Sequence, residues 1–159
     1  MSKTSLFILS GACVLAAACV PKSEDVAGNA DEVVFKELGG TSWQLVEFQS
    51  MDDAQGVSKP ADPSKYTITF GKDGRLSAQL DCNRGMGSWK NEISNATGGS
   101  LEIGPLGMTK MLCPPPSMGD RLASQLGYVR SFTIADGKLN MALMADGGII
   151  VWKRIATPK

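Results

Sequence analysis

From Gly39 onward, stretch after stretch carries apolar residues at every second position, and this period constrains the fold more than any other feature of the chain. Tyr66, Ile68 and Phe70 alternate with Thr67 and Thr69. An extended backbone places such residues on one face. Lys72-Asp73-Gly74 supplies a tight turn. Leu76, Ala78 and Leu80 then alternate with Arg75, Ser77 and Gln79, which predicts a β-hairpin. A second hairpin runs from Phe132-Thr133-Ile134 through Asp136-Gly137 to Leu139, Met141 and Leu143, which alternate with Lys138, Asn140 and Ala142. Asp146-Gly147-Gly148 turns the chain again into Ile149-Ile150-Val151-Trp152. Trp43–Phe48 predicts an opening strand, with further strands near Trp89 and at Leu101–Ile103. The Gly/Ser/Pro/Asp-rich stretch 50–64 reads as a loop. About seven or eight short strands joined by glycine turns predict a mainly β fold, α+β by strict count: a compact antiparallel barrel or sandwich.

One helix is predicted near residues 117–127. Pro114-Pro115-Pro116 cannot be helix interior, so the helix begins after it. Ser117 is placed as the N-cap, with Asp120 three residues on. Met118, Leu122 and Leu126 recur every fourth residue and form one face, read as packing against the sheet or closing a barrel end. Gly127 is the expected stop.

The first 18 residues read as a secretory signal: Lys3, an uncharged run from Ser5, and small residues at Ala16-Ala17-Ala18. The run is shorter than the ~20 residues a transmembrane helix needs. Leu15-Ala16-Ala17-Ala18-Cys19 resembles a bacterial lipobox, which implies that Cys19 becomes an N-terminus carrying an acyl anchor such as palmitate. Cleavage there leaves Cys19, Cys82 and Cys113, an odd number. In an oxidising envelope two can pair, and lipidation accounts for the third. Val20 follows, not Asp, which resembles the Gram-negative pattern for sorting to the outer membrane, facing the periplasm. Residues 19–38, with Glu24, Asp25, Asp31, Glu32 and Glu37 against Lys22 and Lys36, read as a flexible tether, and 39–157 as the folded domain.

Composition narrows the chemistry. The chain of 159 residues has no histidine, which removes Ser-His-Asp and Cys-His catalysis and the commonest zinc ligand. Removing residues 1–18 takes away Lys3 alone and leaves 15 basic against 16 acidic side chains. Such a balance gives no electrostatic footprint for nucleic acid. Gly98-Gly99 and Gly147-Gly148 lack the Lys-Ser/Thr of a phosphate loop.

Three local patterns stand in order. Asp81-Cys82-Asn83-Arg84-Gly85-Met86-Gly87-Ser88-Trp89 follows a strand. Thr109-Lys110-Met111-Leu112-Cys113 precedes the helix. Gly40-Thr41-Ser42-Trp43-Gln44-Leu45 opens the domain, and Asp146-Gly147 with an apolar strand closes it. Together these resemble the META domain, or HslJ-like, family of small envelope proteins over roughly residues 39–155. The resemblance implies fold and location, and an association with envelope stress, secretion or virulence rather than a defined reaction. The chain departs from the family pattern at Asp81, usually Gly, at Gly85-Met86, often aromatic, and at Trp89, usually Tyr.

Cys82 and Cys113 read as a disulfide. The alternatives, a thiol nucleophile or a metal pair, lack a histidine base and a full ligand set. Asn83 and Arg84 read as a turn residue and an ion-pair partner for Asp81 or another carboxylate, or as a possible binding loop. Asp52-Asp53 and Asp73 are the only carboxylates suggestive of glycoside hydrolysis, and each sits where a turn favours Asp. Met86, Met108, Met111, Met118, Met141 and Met144 either fill the core or line an apolar barrel cavity. The expectation is a non-enzymatic lipoprotein that binds a partner in the envelope, without catalytic residues, metal or cofactor. It is monomeric, held to the membrane by its lipid, and its partner is an envelope protein or small ligand. A lipid or apolar-ligand carrier is the alternative, and a hydrolase inhibitor acting through an exposed loop near Asn83 is the third.

Overall fold

The computed structural model describes residues 38–156. The proposed signal, Cys19 and almost all of the tether lie outside the described residues. Ten strands and one helix follow in order: β1 (Thr41–Gln49), β2 (Val57–Ser58), β3 (Tyr66–Phe70), β4 (Arg75–Leu80), β5 (Asn83–Ile93), β6 (Gly98–Ile103), β7 (Gly107–Met108), α1 (Gly119–Leu126), β8 (Val129–Ala135), β9 (Lys138–Leu143) and β10 (Ile149–Ile155). The strand order is β10-β9-β8-β6-β5-β4-β3-β1, and β1 also pairs with β10, from Ser42 opposite Ile155 to Gln49 opposite Ile149. That pairing closes an antiparallel barrel. The short β2 adds to β1, and β7 to β5. The residue numbering shifts by one between Leu45 and Glu47, a bulge of the kind that bends a strand round a barrel.

The alternating residues point inward as expected. Tyr66, Ile68, Phe70, Leu76, Leu80, Leu139, Met141, Ile150 and Trp152 are all buried in one core. The largest fully buried side chains are Trp43, Trp152, Phe48, Phe70 and Phe132. A barrel of about eight strands is just wide enough for side chains to fill. Met141 sits in this packed interior, Met108 and Met118 pack against it, and Met86, Met111 and Met144 are exposed. The methionines therefore do not line a container. Trp43 Nε1 donates to Thr41 Oγ1 at 2.7 Å and Trp89 Nε1 to the Gly71 carbonyl at 3.1 Å. Trp152 Nε1 is buried without a partner among the described residues.

α1 caps one end. Its buried residues are Gly119, Leu122 and Leu126, and the Arg121 guanidinium lies 4.2 Å over the Phe48 ring. The cap differs from the expected one: Met118, not Ser117, is the N-cap, and the helix starts at Gly119. Ser117 Oγ still accepts from the Gly119 N–H at 3.2 Å, while Tyr66 Oη takes the Met118 N–H at 3.1 Å. The barrel itself thus satisfies one of the orphan donors of the helix start. Gly127 ends the helix in a right-handed conformation. The stretch 50–64 is more ordered than a plain loop, holding β2 and a 3₁₀ turn that opens at Pro63. At the opposite end, Thr41 pairs with Phe70 and Ser42 with Ile155, so the domain's two chain ends leave together, away from α1.

Three surface carboxylates stay ionised further into acid than usual. The Gln49 amide, donating to Glu47 at 2.7 Å, holds that carboxyl below the ordinary range, and Lys59 at 3.4 Å adds to it. Gln55 does the same for Asp52, and Ser64 for Asp62. A carboxyl depressed in the folded state contributes stability above its unfolded pKa and loses it as pH falls through the folded value. The urea midpoint should therefore hold level from neutrality and decline below about pH 4 to 5. A Glu47→Gln, Asp52→Asn, Asp62→Asn variant should show a shallower decline in the same titration.

Candidate functional site

The turn between β4 and β5 is only two residues long, because Leu80 pairs directly with Asn83. Asp81 adopts φ +61° there, a region that glycine enters freely and Asp tolerates. This explains the glycine usual in the family. Asp81 is 5% exposed and pairs with Lys65 at 3.5 Å, not with Arg84.

Asn83 and Arg84 are not in an exposed loop: they begin β5. The inward positions of this strand are Asn83, Gly85 and Gly87, and the outward ones Arg84 and Met86. The glycines leave room that the chain fills on its return. The Met108 side chain occupies the place a Cβ at Gly85 would take, and a Cβ at Gly87 would lie 2.8 Å from Leu106 Cδ2. From Gly104 the chain thus folds back as a strap over β5 and continues to α1.

The two sequence motifs meet along this strap. Cys82 and Cys113 form a disulfide with Cα atoms 5.6 Å apart. Asn83 is 4% exposed, and its carboxamide pairs with the Met111 backbone as a strand would. Nδ2 donates to the Met111 carbonyl at 2.9 Å, and Oδ1 accepts the Met111 N–H at 2.7 Å. Oδ1 also accepts the Thr109 hydroxyl at 3.0 Å. Thr109 N–H donates to the Arg84 carbonyl at 2.9 Å, and the Arg84 N–H to Thr109 Oγ1 at 2.9 Å. Cys82, Asn83 and Arg84 thus fasten Cys113, Met111 and Thr109 in turn. The Thr-x-Met-x-Cys spacing is itself period two, a signal that could have pointed to this contact; of the three links only Cys82–Cys113 was expected. The roles of Thr109 and Asp81 were not foreseen.

What the strap presents is apolar. Leu112 is 99% exposed and Met111 64%, with Met86 exposed on β5 nearby. A groove of about 640 Å³ lies between the strap and α1, lined by Met108, Lys110 and Leu112 on one side and by Asp120, Ala123 and Ser124 on the other. A second concavity, about 700 Å³, crosses the outside of β5 and β6 among Lys90, Glu102 and Arg130, with Lys90 and Glu102 paired at 2.9 Å. Asp52 and Asp73 serve local turns: Asp52 accepts from Ala54 and Gln55, and Asp73 from the Arg75 N–H. Among the described residues, no three His, Cys, Asp or Glu side chains gather as a metal site would require.

Removing the Asn83 amide should leave the Met111 N–H and carbonyl unpaired. Asn83→Ala is expected to cost about 2 kcal/mol or more in urea denaturation. In hydrogen exchange it should expose the Met111 amide while β9 and β10 stay protected. At Asp81, Ala should destabilise by about 1 kcal/mol more than Gly, because only Gly enters that backbone region without strain.

The chain matches the META domain over residues 36–155. No curated protein matches it. A solution structure of a protein from Burkholderia xenovorans is similar, at 22% identity and a TM-score of 0.60, over 86% of this chain and 97% of the other. A crystal structure of a DUF4847 family protein from Bacteroides vulgatus is similar at 15% identity and a TM-score of 0.54, over 79% of this chain and 99% of the other. Both likenesses concern the fold.

Proposed function

The chain belongs to the META domain family, and from that premise we propose that it is a non-enzymatic, lipid-anchored binding module of the bacterial envelope. In this reading residues 1–18 direct export, Cys19 carries the lipid in the outer membrane, and the domain faces the periplasm and serves in tolerance of envelope stress. The observation that carries the binding role is the strap. A disulfide and a buried amide pair hold Leu112 in place while leaving it 99% exposed. Burying one such side chain in a partner is worth roughly 1.5–3 kcal/mol. A fixed strap also avoids much of the ordering cost that a flexible loop meets on binding.

The barrel's polarity supports the same reading. The chain enters at the end opposite α1, so a tether from Cys19 attaches away from the capped end. Eighteen residues lie between Cys19 and Leu38, a reach of at most roughly 65 Å. The carrier alternative loses support, because buried side chains fill the barrel. An inhibitory contact through Asn83 loses support as well, because that side chain is buried beneath the strap.

Intact-mass measurement on the membrane-extracted chain tests the proposal. The expected mass begins at Cys19, includes acyl chains, and lacks two hydrogens for the Cys82–Cys113 bond. Cys19→Ala should release the protein from the membrane fraction. An unacylated mature chain would overturn the anchor, and robust hydrolytic turnover by the purified protein would overturn the non-enzymatic reading.

A further inference from the structure

We infer that the groove between the strap and α1 receives an extended segment of a partner protein, which adds to the strap as one more strand. This rests on the binding role proposed above and specifies the form the partner takes. Thr109 and Met111 direct their N–H groups toward β5, to the Arg84 carbonyl and Asn83 Oδ1. In an extended chain the residues that alternate with them present their polar groups on the opposite edge. Those residues are Lys110 and Leu112, and among the described residues their backbone N–H and C=O groups have no partner. Both line the groove, and α1 forms its other wall. An open strand edge is a template for another strand: the main chain supplies affinity, and side chains at alternate positions supply selectivity.

The groove also indicates the character of that segment. Lys110 stands on the strap wall and Asp120 on the helix wall, so the formal charges oppose and an uncharged segment fits. Leu112, fully exposed, and Met108, half-buried, offer apolar contact to alternate residues. The chain's own upstream residues are poorly placed to fill it. The nearest apolar run, Val33-Val34-Phe35, ends three residues before Leu38, a reach of roughly 10 Å. Leu38 adjoins the end opposite α1, and β1 alone, at 9 residues, spans roughly 30 Å. Residues 20–32 upstream of that run are polar and acidic in balance.

The test selects a displayed library of random octapeptides against the full chain as purified from cells. Enriched peptides should be uncharged, with apolar residues at alternate positions. On binding, the Lys110 and Leu112 amides should shift in NMR spectra and gain protection from exchange. N-methylation along the peptide should weaken binding tenfold or more at one parity of positions and leave the other parity unchanged. Leu112→Asp, at a side chain with no role in the core, should weaken binding to a similar degree while the folded spectrum is retained. Failure to enrich any peptide, a methylation scan without the two-residue period, or binding that leaves Lys110 and Leu112 unmoved would each overturn strand addition. So would a sedimentation result showing two copies of this chain paired through these same edges. The outcomes separate from those of the anchoring test: an unacylated Cys19 alongside a period-two scan removes the anchor alone, and an acylated Cys19 without that period removes strand addition alone.

Discussion

Closure of the sheet by β1 and β10 is the constraint on which the rest of the domain depends. An open sheet of short strands would present two edges to solvent, and an unpaired edge invites association. Here the first and last barrel strands pair along nearly their whole length, with one bulge between Leu45 and Glu47 bending β1 round the curve. Closure also sets the interior volume, and Trp43, Trp152, Phe48, Phe70 and Phe132 fill much of it. The interior is occupied by the chain's own side chains, and the concavities of the domain lie at its surface.

The surface device with the clearest physical basis is the strap. Gly85 and Gly87 create a shallow vacancy on the inward side of β5, and Leu106 and Met108 fill it. That packing places Thr109, Met111 and Cys113 where β5 and the Asp81-Cys82 turn can hold them. The disulfide and the Asn83 amide act on neighbouring residues of the strap. Three successive residues of the turn and β5 hold the strap, while Leu112 on its outer side makes no core contact.

The barrel was legible in the sequence where apolar residues alternate, as in Tyr66–Phe70, Arg75–Leu80 and Lys138–Leu143. It was illegible at the start of β5. The inward positions there are Asn83, Gly85 and Gly87, so no apolar period marks the strand, and the complementary side chains arrive about twenty residues later in Leu106 and Met108. The stretch therefore read as a loop. The helix start was misplaced for a similar reason: Tyr66, distant in sequence, accepts the Met118 N–H and helps fix Met118 as the N-cap, a contact local reasoning could not see, while Ser117 keeps the Gly119 N–H. The Cys82–Cys113 pairing was legible because cysteine chemistry has few alternatives without histidine. The readings of residues 1–37 lie outside the described residues.

The closing pair also bears on the timing of folding. Strands β1 and β10 are the first and last of the domain, so the ring cannot be completed before Ile149–Ile155 is available. Contacts so far apart in sequence form slowly, after most of the loop-closure entropy has been met. A nascent chain of this design stays incompletely folded until its final residues emerge. During that interval the edges of β1 and β9 that β10 will cover stand open, so the last strand to arrive is also the one that shields them.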